Sequence, residues 1–217
     1  MTKEERMKKL DNFWYYYKWH VIIGILVAVV LFFTIHDAVT NVDPDITIDC
    51  IMDSGISYMH TEALVSDLEA NAGINDNNDD ENIKCTIAMA QTGRDPSTAS
   101  ADGSMMQVVQ LRMAVGESTI IITEPYILDL YQEHEIFGDM TSIADEMNIP
   151  EEKRYMSPDN SKVIAINIDD SEFLKKQGIS ATDCFVSLRV LNLDQQDNEQ
   201  KVKEFENSKE IIKYIVK

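Results

Sequence analysis

Four histidines, three cysteines and one acidic run are the residues most able to do chemistry, and their spacing decides what they do. His20, His36, His60 and His134 are scattered. None stands in H-E-x-x-H or puts two imidazoles on one helical face, so zinc catalysis is not expected. Glu133-His134-Glu135 sets carboxylates beside an imidazole, but sequence neighbours on a helix point in different directions. Cys50, Cys85 and Cys184 fall in segments that read as strands, where free thiols act as small core groups. Cys50 and Cys85 could sit on neighbouring strands, which leaves a disulfide open, yet the odd count and missing framework spacing favour the core reading. Asp76, Asn78 and Asp80 open a run as positions 1, 3 and 5 of a calcium loop would. The run then fails, with Glu81 where glycine is needed and Ile87 at the twelfth position, so it reads as a solvated acidic loop. Met105, Met106 and Met113 fit a helix packing face better than a copper site. Neither G-x-S-x-G nor a phosphate-binding loop is present. The expectation is a protein without cofactor or metal, and not an enzyme.

What remains is a set of short polar runs that each follow an expected strand: Asp53-Ser54-Gly55-Ile56-Ser57-Tyr58, Gln91-Thr92-Gly93 and Glu124-Pro125-Tyr126. In open α/β sheets ligands sit outside the carboxyl ends of the strands. That rule makes Asp53, Ser54, Tyr58, Gln91, Thr92, Glu124 and Tyr126 the candidate ligand-binding residues on a shared rim. Backbone donors beside the glycines would hold polar groups, and a tyrosine would cover an apolar face. The competing reading is that Ser54-Gly55 and Thr92-Gly93 only punctuate turns.

The elements that must position this rim are legible from periodicity. Ile46–Met52 reads as a strand apolar on both faces, and 62–72 as a helix, with Leu64, Val65, Leu68 and Ala72 in one stripe. A strand is expected at 83–89 and a helix from Ser104 to Val115 with Gly116 as its left-handed stop. A β-branched strand then covers 119–123, and Pro125 suits the first turn of a helix over 126–131. Further strands are expected at 162–168 and 184–193, with a short helix at 171–176 and a C-terminal helix over 199–214. Strands joined by helical crossovers require a mostly parallel sheet flanked by helices, an α/β fold. The 94–104 stretch is the most linker-like inside this region.

Charge divides the chain. The 217 residues carry a formal charge of −19, yet residues 1–36 are net +2 and residues 37–217 net −21. No Lys/Arg-rich cluster for a polyanion exists beyond the first twenty residues, so a nucleic-acid partner is not expected. Between the two parts runs the uncharged stretch Val21–Ile35, led by Phe13 to Tyr17 and by Trp19, whose rings suit a headgroup boundary. Five Lys and Arg precede it and none follows until Lys84, which puts the N-terminus in the cytoplasm. A cleaved secretory signal is the main competitor, but the long aromatic lead and the lack of a small-x-small site favour an uncleaved anchor. The expected organisation is a basic, aromatic cytoplasmic segment over 1–20, a membrane anchor over 21–36 marked by Trp19, Val21 and Ile35, a linker over 37–45, and an extracytoplasmic α/β domain over 46–217.

Two resemblances add to this reading. The run Lys9-Leu10-Asp11-Asn12-Phe13-Trp14-Tyr15-Tyr16-Tyr17-Lys18-Trp19-His20 resembles the N-terminal signature of small single-span membrane proteins of Gram-positive, Clostridia-like bacteria, and it implies topology only. Residues 105–143 are similar to extracellular solute-binding proteins of the type 2 periplasmic class, through the helix ending Met113-Ala114-Val115-Gly116-Glu117, the strand and turn Ile120 to Tyr126, Leu128-Asp129-Leu130, and Phe137 to Ile143. Thr119 stands where that family usually has Asp, and the segment 137–143 is a reduced form of its motif. The resemblance implies one lobe of such a fold. It also implies a membrane-anchored binding or recognition domain, with solute binding linked to transport. The alternative is a non-catalytic adaptor or accessory subunit contacting another membrane or envelope protein, and an extracytoplasmic hydrolase ranks last. The expected partners are the lipid bilayer and either a small solute or such a protein.

Overall fold

The computed structural model describes residues 3–40, 44–53, 56, 58–77, 81–92, 104–192 and 195–217. Ser54, Gly55, Ser57, Gly93, Asn78 to Asp80, residues 41–43 and the 94–103 stretch, all invoked above, lie outside them. The chain forms two compact units, 1–42 and 43–217. The first is one helix, α1 (Lys3–Thr40). Within it Phe13–His36 is apolar over 24 residues, roughly 36 Å of helix, enough for a hydrocarbon core of about 30 Å. Length and composition therefore suffice for one membrane span. The helix extends the anchor expected over 21–36 back through its aromatic lead, with Trp19 and Ile35 exposed and Val21 half-buried.

The second unit runs β1 (Ile46–Ile51), α2 (Tyr58–Asn71), β2 (Cys85–Ala90), α3 (Ser104–Val115), β3 (Ile120–Thr123), α4 (Pro125–Tyr131), α5 (Thr141–Glu146), β4 (Arg154–Met156), β5 (Val163–Asn167), α6 (Glu172–Lys176), β6 (Phe185–Leu188) and α7 (Glu199–Ile215). Among the described residues the strands form one sheet in the order β2-β1-β3-β6-β5-β4. β1 is parallel to both β2 and β3, as their helical crossovers require. The other half corrects the expectation of a mostly parallel sheet. β6 is antiparallel to β3 and β5, and β4 is antiparallel to β5. For β4 and β5 the reason is connection length: they are joined by residues 157–162, where Ser157 and Ser161 donate to Asp159, too short a link for a crossover; β5 and β6 are antiparallel although α6 lies between them. The sheet is mixed.

Alternation along the strands separates two apolar layers. Ile120 and Ile122 of β3 face a cluster with Leu64 and Leu68 of α2, Ile143 of α5, Leu174 of α6 and Ile211 and Ile215 of α7. Ile121 faces the other way, with Val109 and Met113 of α3, Ile127 and Leu128 of α4 and Phe137. The sheet is thus covered on both sides, which is why its central strands read as continuous apolar runs. Cys50, Cys85 and Cys184 are buried free thiols. Cys85 pairs in register with Ile46, and Cys50 with Met89, so the two thiols are separated along their strands. Gly116 ends α3 with φ +70°, a region in which a Cβ is strained. Gly116→Ala should lower stability by about 1 kcal/mol, read as a shift of the urea midpoint with unchanged slope; an unchanged midpoint would refute the strain.

Candidate functional site

β1, β2 and β3 end level, because Ile51 is in register with both Ala90 and Thr123. Their following loops therefore meet at one edge, and three of the candidate side chains are brought into direct contact there. The Asp53 carboxylate accepts the Thr92 N–H at 2.6 Å and the Thr92 hydroxyl at 2.5 Å. Glu124 Oε1 accepts the Asp53 N–H at 3.0 Å. The Thr123 hydroxyl adds a bond to the Ile51 carbonyl at 2.7 Å. Each contact joins the loop of one strand to a neighbouring strand or its loop, so Asp53, Thr92 and Glu124 brace the rim. Gln91 is half-buried beside them. Tyr126, in the first turn of α4, packs against the layer around Ile121 and Phe137. Tyr58 begins α2 and Ser54 lies outside the described residues. This edge also carries a group that strand patterning did not single out: Asp169, after β5, accepts the Cys184 and Asp183 amides at 2.7 and 2.9 Å. An acceptor two residues past a strand end is a turn signal, and only the sheet order brings it to the rim.

The rim's thiols are kept neutral. Burial first, then Asp49 and Glu124, push Cys50 up to about 12. Burial, helped by Cys50, Asp169 and Glu124, likewise raises Cys184 well above its ordinary value. A thiol held protonated is a poor nucleophile. Asp76, the first residue of the acidic loop, uses Oδ2 to accept the Glu81 N–H at 2.8 Å. No group of three His, Cys, Asp or Glu side chains placed to hold a metal occurs among the described residues.

A separate concavity lies elsewhere on this unit. A hollow of about 530 Å³ opens between α3 and the segment from α4 to β6, walled by Met113, Ala114, Leu130, Tyr131, Val190 and Arg189. Because β6 runs against β3 and the Arg189 N–H bonds the Thr119 carbonyl, it sits at the opposite end of β3 from the rim. Arg189 is 6% exposed. Its guanidinium donates to the carbonyls of Ser118 at 2.9 Å, Met113 at 3.0 Å and Arg112 at 3.3 Å, the last turn and exit of α3. Burial lowers its pKa. The neighbouring Arg112 turns outward to Asp49 on β1, at 2.7 Å. Nothing in the 189–192 stretch marks such a site in sequence, since its arginine follows a strand like many surface arginines.

With this geometry in hand, comparison with known proteins adds no relative. No family model matches the chain. No curated protein and no solved structure matches it either. The binding-protein likeness of residues 105–143 stays a likeness of sequence pattern, without a matching fold.

Proposed function

We propose that this chain is a single-span membrane protein that holds a non-catalytic α/β binding domain outside the cytoplasm. The observation that carries this reading is the 24-residue apolar helix Phe13–His36, whose aliphatic and aromatic side chains are largely exposed, Leu31 at 54% and Phe33 at 61% among them. Such a surface is unfavourable in water and suited to lipid. The basic lead and the absence of Lys and Arg after the helix until Lys84 support a cytoplasmic N-terminus. Binding of a small solute is supported by the hollow beside Arg189, whose volume is within the usual ligand range of about 300–1,000 Å³. The resemblance of the sequence pattern over residues 105–143 to type 2 solute-binding proteins points the same way. A second reading, an adaptor contacting another envelope protein, is supported by the exposed α3 stripe Val108, Leu111 and Val115, spaced as one helix face.

The native cysteines make the topology test clean. All three are buried, with Cys50 and Cys85 pushed up to about 12 mainly by burial, so they do not compete for maleimide. Met7→Cys and Lys217→Cys, both at exposed positions, are expected to respond oppositely to a membrane-impermeant maleimide on intact cells, Lys217→Cys reacting and Met7→Cys protected. Labelling of Met7→Cys alone reverses the orientation. Labelling of neither, with a protein that leaves the membrane in carbonate, removes the anchor.

A further inference from the structure

The hollow at the N-terminal end of β3 holds a cation that nothing around it fully neutralises. Arg189 has five N–H donors. Those it uses go to three main-chain carbonyls and, at 3.9 Å, to the Met113 sulfur; none goes to a carboxylate. Two of these carbonyls, of Arg112 and Met113, belong to the C-terminal turn of α3 and the third, of Ser118, lies just past it; a helix C-terminus supplies about −0.5 of an elementary charge. The helix end therefore balances only part of the Arg189 charge. Asp49 is the carboxylate that acts on it electrostatically, and Asp49 is itself paired with Arg112 at 2.7 Å.

The leftover charge is paired with a second donor. A Cβ placed on Gly116 would lie 3.6 Å from Arg189 Nη1 and 3.5 Å from Asn192 Nδ2, so both nitrogens lie close to the end of α3, and both residues line the hollow. The rest of the lining is mixed, with Met113, Leu130, Ile136 and Val190 on its apolar part and Gln110, His134 and Glu135 on its polar part. Met113 is buried, Leu130 and Val190 are 43% and 39% exposed, and the Tyr131 ring lies 5.9 Å from that of His134 in a tilted arrangement. Glu135 is the carboxylate on this wall, and it is exposed. In a unit of net charge −20, a guanidinium and an amide beside a partly apolar trough form a seat for one negative charge on an apolar body. A dianion would need more cations than this wall provides.

We propose that this hollow binds a small monocarboxylate with an aromatic or branched apolar body, its carboxylate against Arg189 and Asn192 and its body along Met113, Leu130 and Val190. The proposal rests on the binding-domain reading and names the site and ligand class for it. Charge-assisted hydrogen bonds are what separate a carboxylate from its neutral isostere here.

The test uses the full chain in zwitterionic nanodiscs, titrated with benzoate, indole-3-acetate, benzamide and inorganic phosphate, with calorimetry and thermal unfolding as readouts. Saturable binding and stabilisation are expected for the two carboxylates, not for benzamide or phosphate. Asn192→Asp sets a carboxylate beside the seat, and Ala114→Glu adds one on an exposed helix position. Each should weaken carboxylate binding about tenfold or more while leaving the unliganded melting temperature near that of the wild type. Equal binding of benzamide, binding of phosphate instead, affinity unchanged in both variants, or no saturation by about 10 mM would overturn the proposal. None of these outcomes touches the labelling of Met7→Cys and Lys217→Cys, so failure of the ligand class and failure of the anchored topology are read separately.

Discussion

Arg189→Met is expected to destabilise the α/β unit by about 3 kcal/mol. Methionine fills much of the same volume, so the loss isolates the guanidinium. Without it the carbonyls of Ser118, Met113 and Arg112 lose a donor at 2.9, 3.0 and 3.3 Å. A buried acceptor left unpaired costs about 1–3 kcal/mol. Removing a cation that burial disfavours offsets part of that sum, which is why the estimate stays near 3 rather than at the upper end. Arg189→Lys should fall between, because one ammonium cannot span three carbonyls fanned around a helix end. Urea unfolding checks both, and a methionine variant within about 0.5 kcal/mol of wild type would show that the α3 terminus caps itself. The same reasoning makes Arg189 unsuitable for testing ligand binding, since a variant that loosens α3 loses any site built on it.

Much of this architecture was legible from side-chain periodicity and much was not. The α3 helix spans Ser104–Val115 as its pattern predicts, and Gly116 takes the left-handed φ expected of its stop. β3 and α4 likewise follow from a β-branched run and a proline placed at a helix start. These segments carry strong local signals. β4 was missed because Arg154–Met156 is three half-buried residues long, too short for any period to register. α5 was missed for a similar reason, six residues with only Ile143 and Ala144 buried. Their absence made the sheet look mostly parallel. The rim was legible because three strand ends and their polar runs are local features, and the structure brings Asp53, Thr92 and Glu124 into contact. The hollow beside Arg189 was not, because it joins α3, α4 and β6, whose closeness depends on the antiparallel pairing of β3 with β6. Sequence pattern reports which residues face inward; it does not report which distant elements share an edge.

A second large effect is expected at the start of β1. Asp45 is fully buried, and its two carboxylate oxygens accept the Asn77 N–H at 2.8 Å and the Lys84 N–H at 2.9 Å. Its main chain adds bonds to Lys84 and to the Asn77 amide. One side chain thereby ties two points of the segment between α2 and β2, Asn77 in its middle and Lys84 at its end, to the start of β1. Asp45→Ala removes two charge-assisted bonds and should cost about 4 kcal/mol. Some of that is returned. Burial raises the carboxyl pKa of Glu204, and Asp45 adds to the rise, so deleting Asp45 relieves one repulsion. That relief is a lesser contribution to Glu204 than burial itself, so the lost bonds dominate. Asp45→Asn distinguishes charge from packing: it keeps the shape but turns an NH₂ toward one of the two amides, and it should lose more than half of what alanine loses. Hydrogen exchange gives the local check, with the Asn77 and Lys84 amides exchanging faster in both variants while Ile121 in β3 follows only the global change. Unaltered protection at those two amides, or an alanine variant within about 1 kcal/mol of wild type, would mean that main-chain contacts alone hold the segment in place.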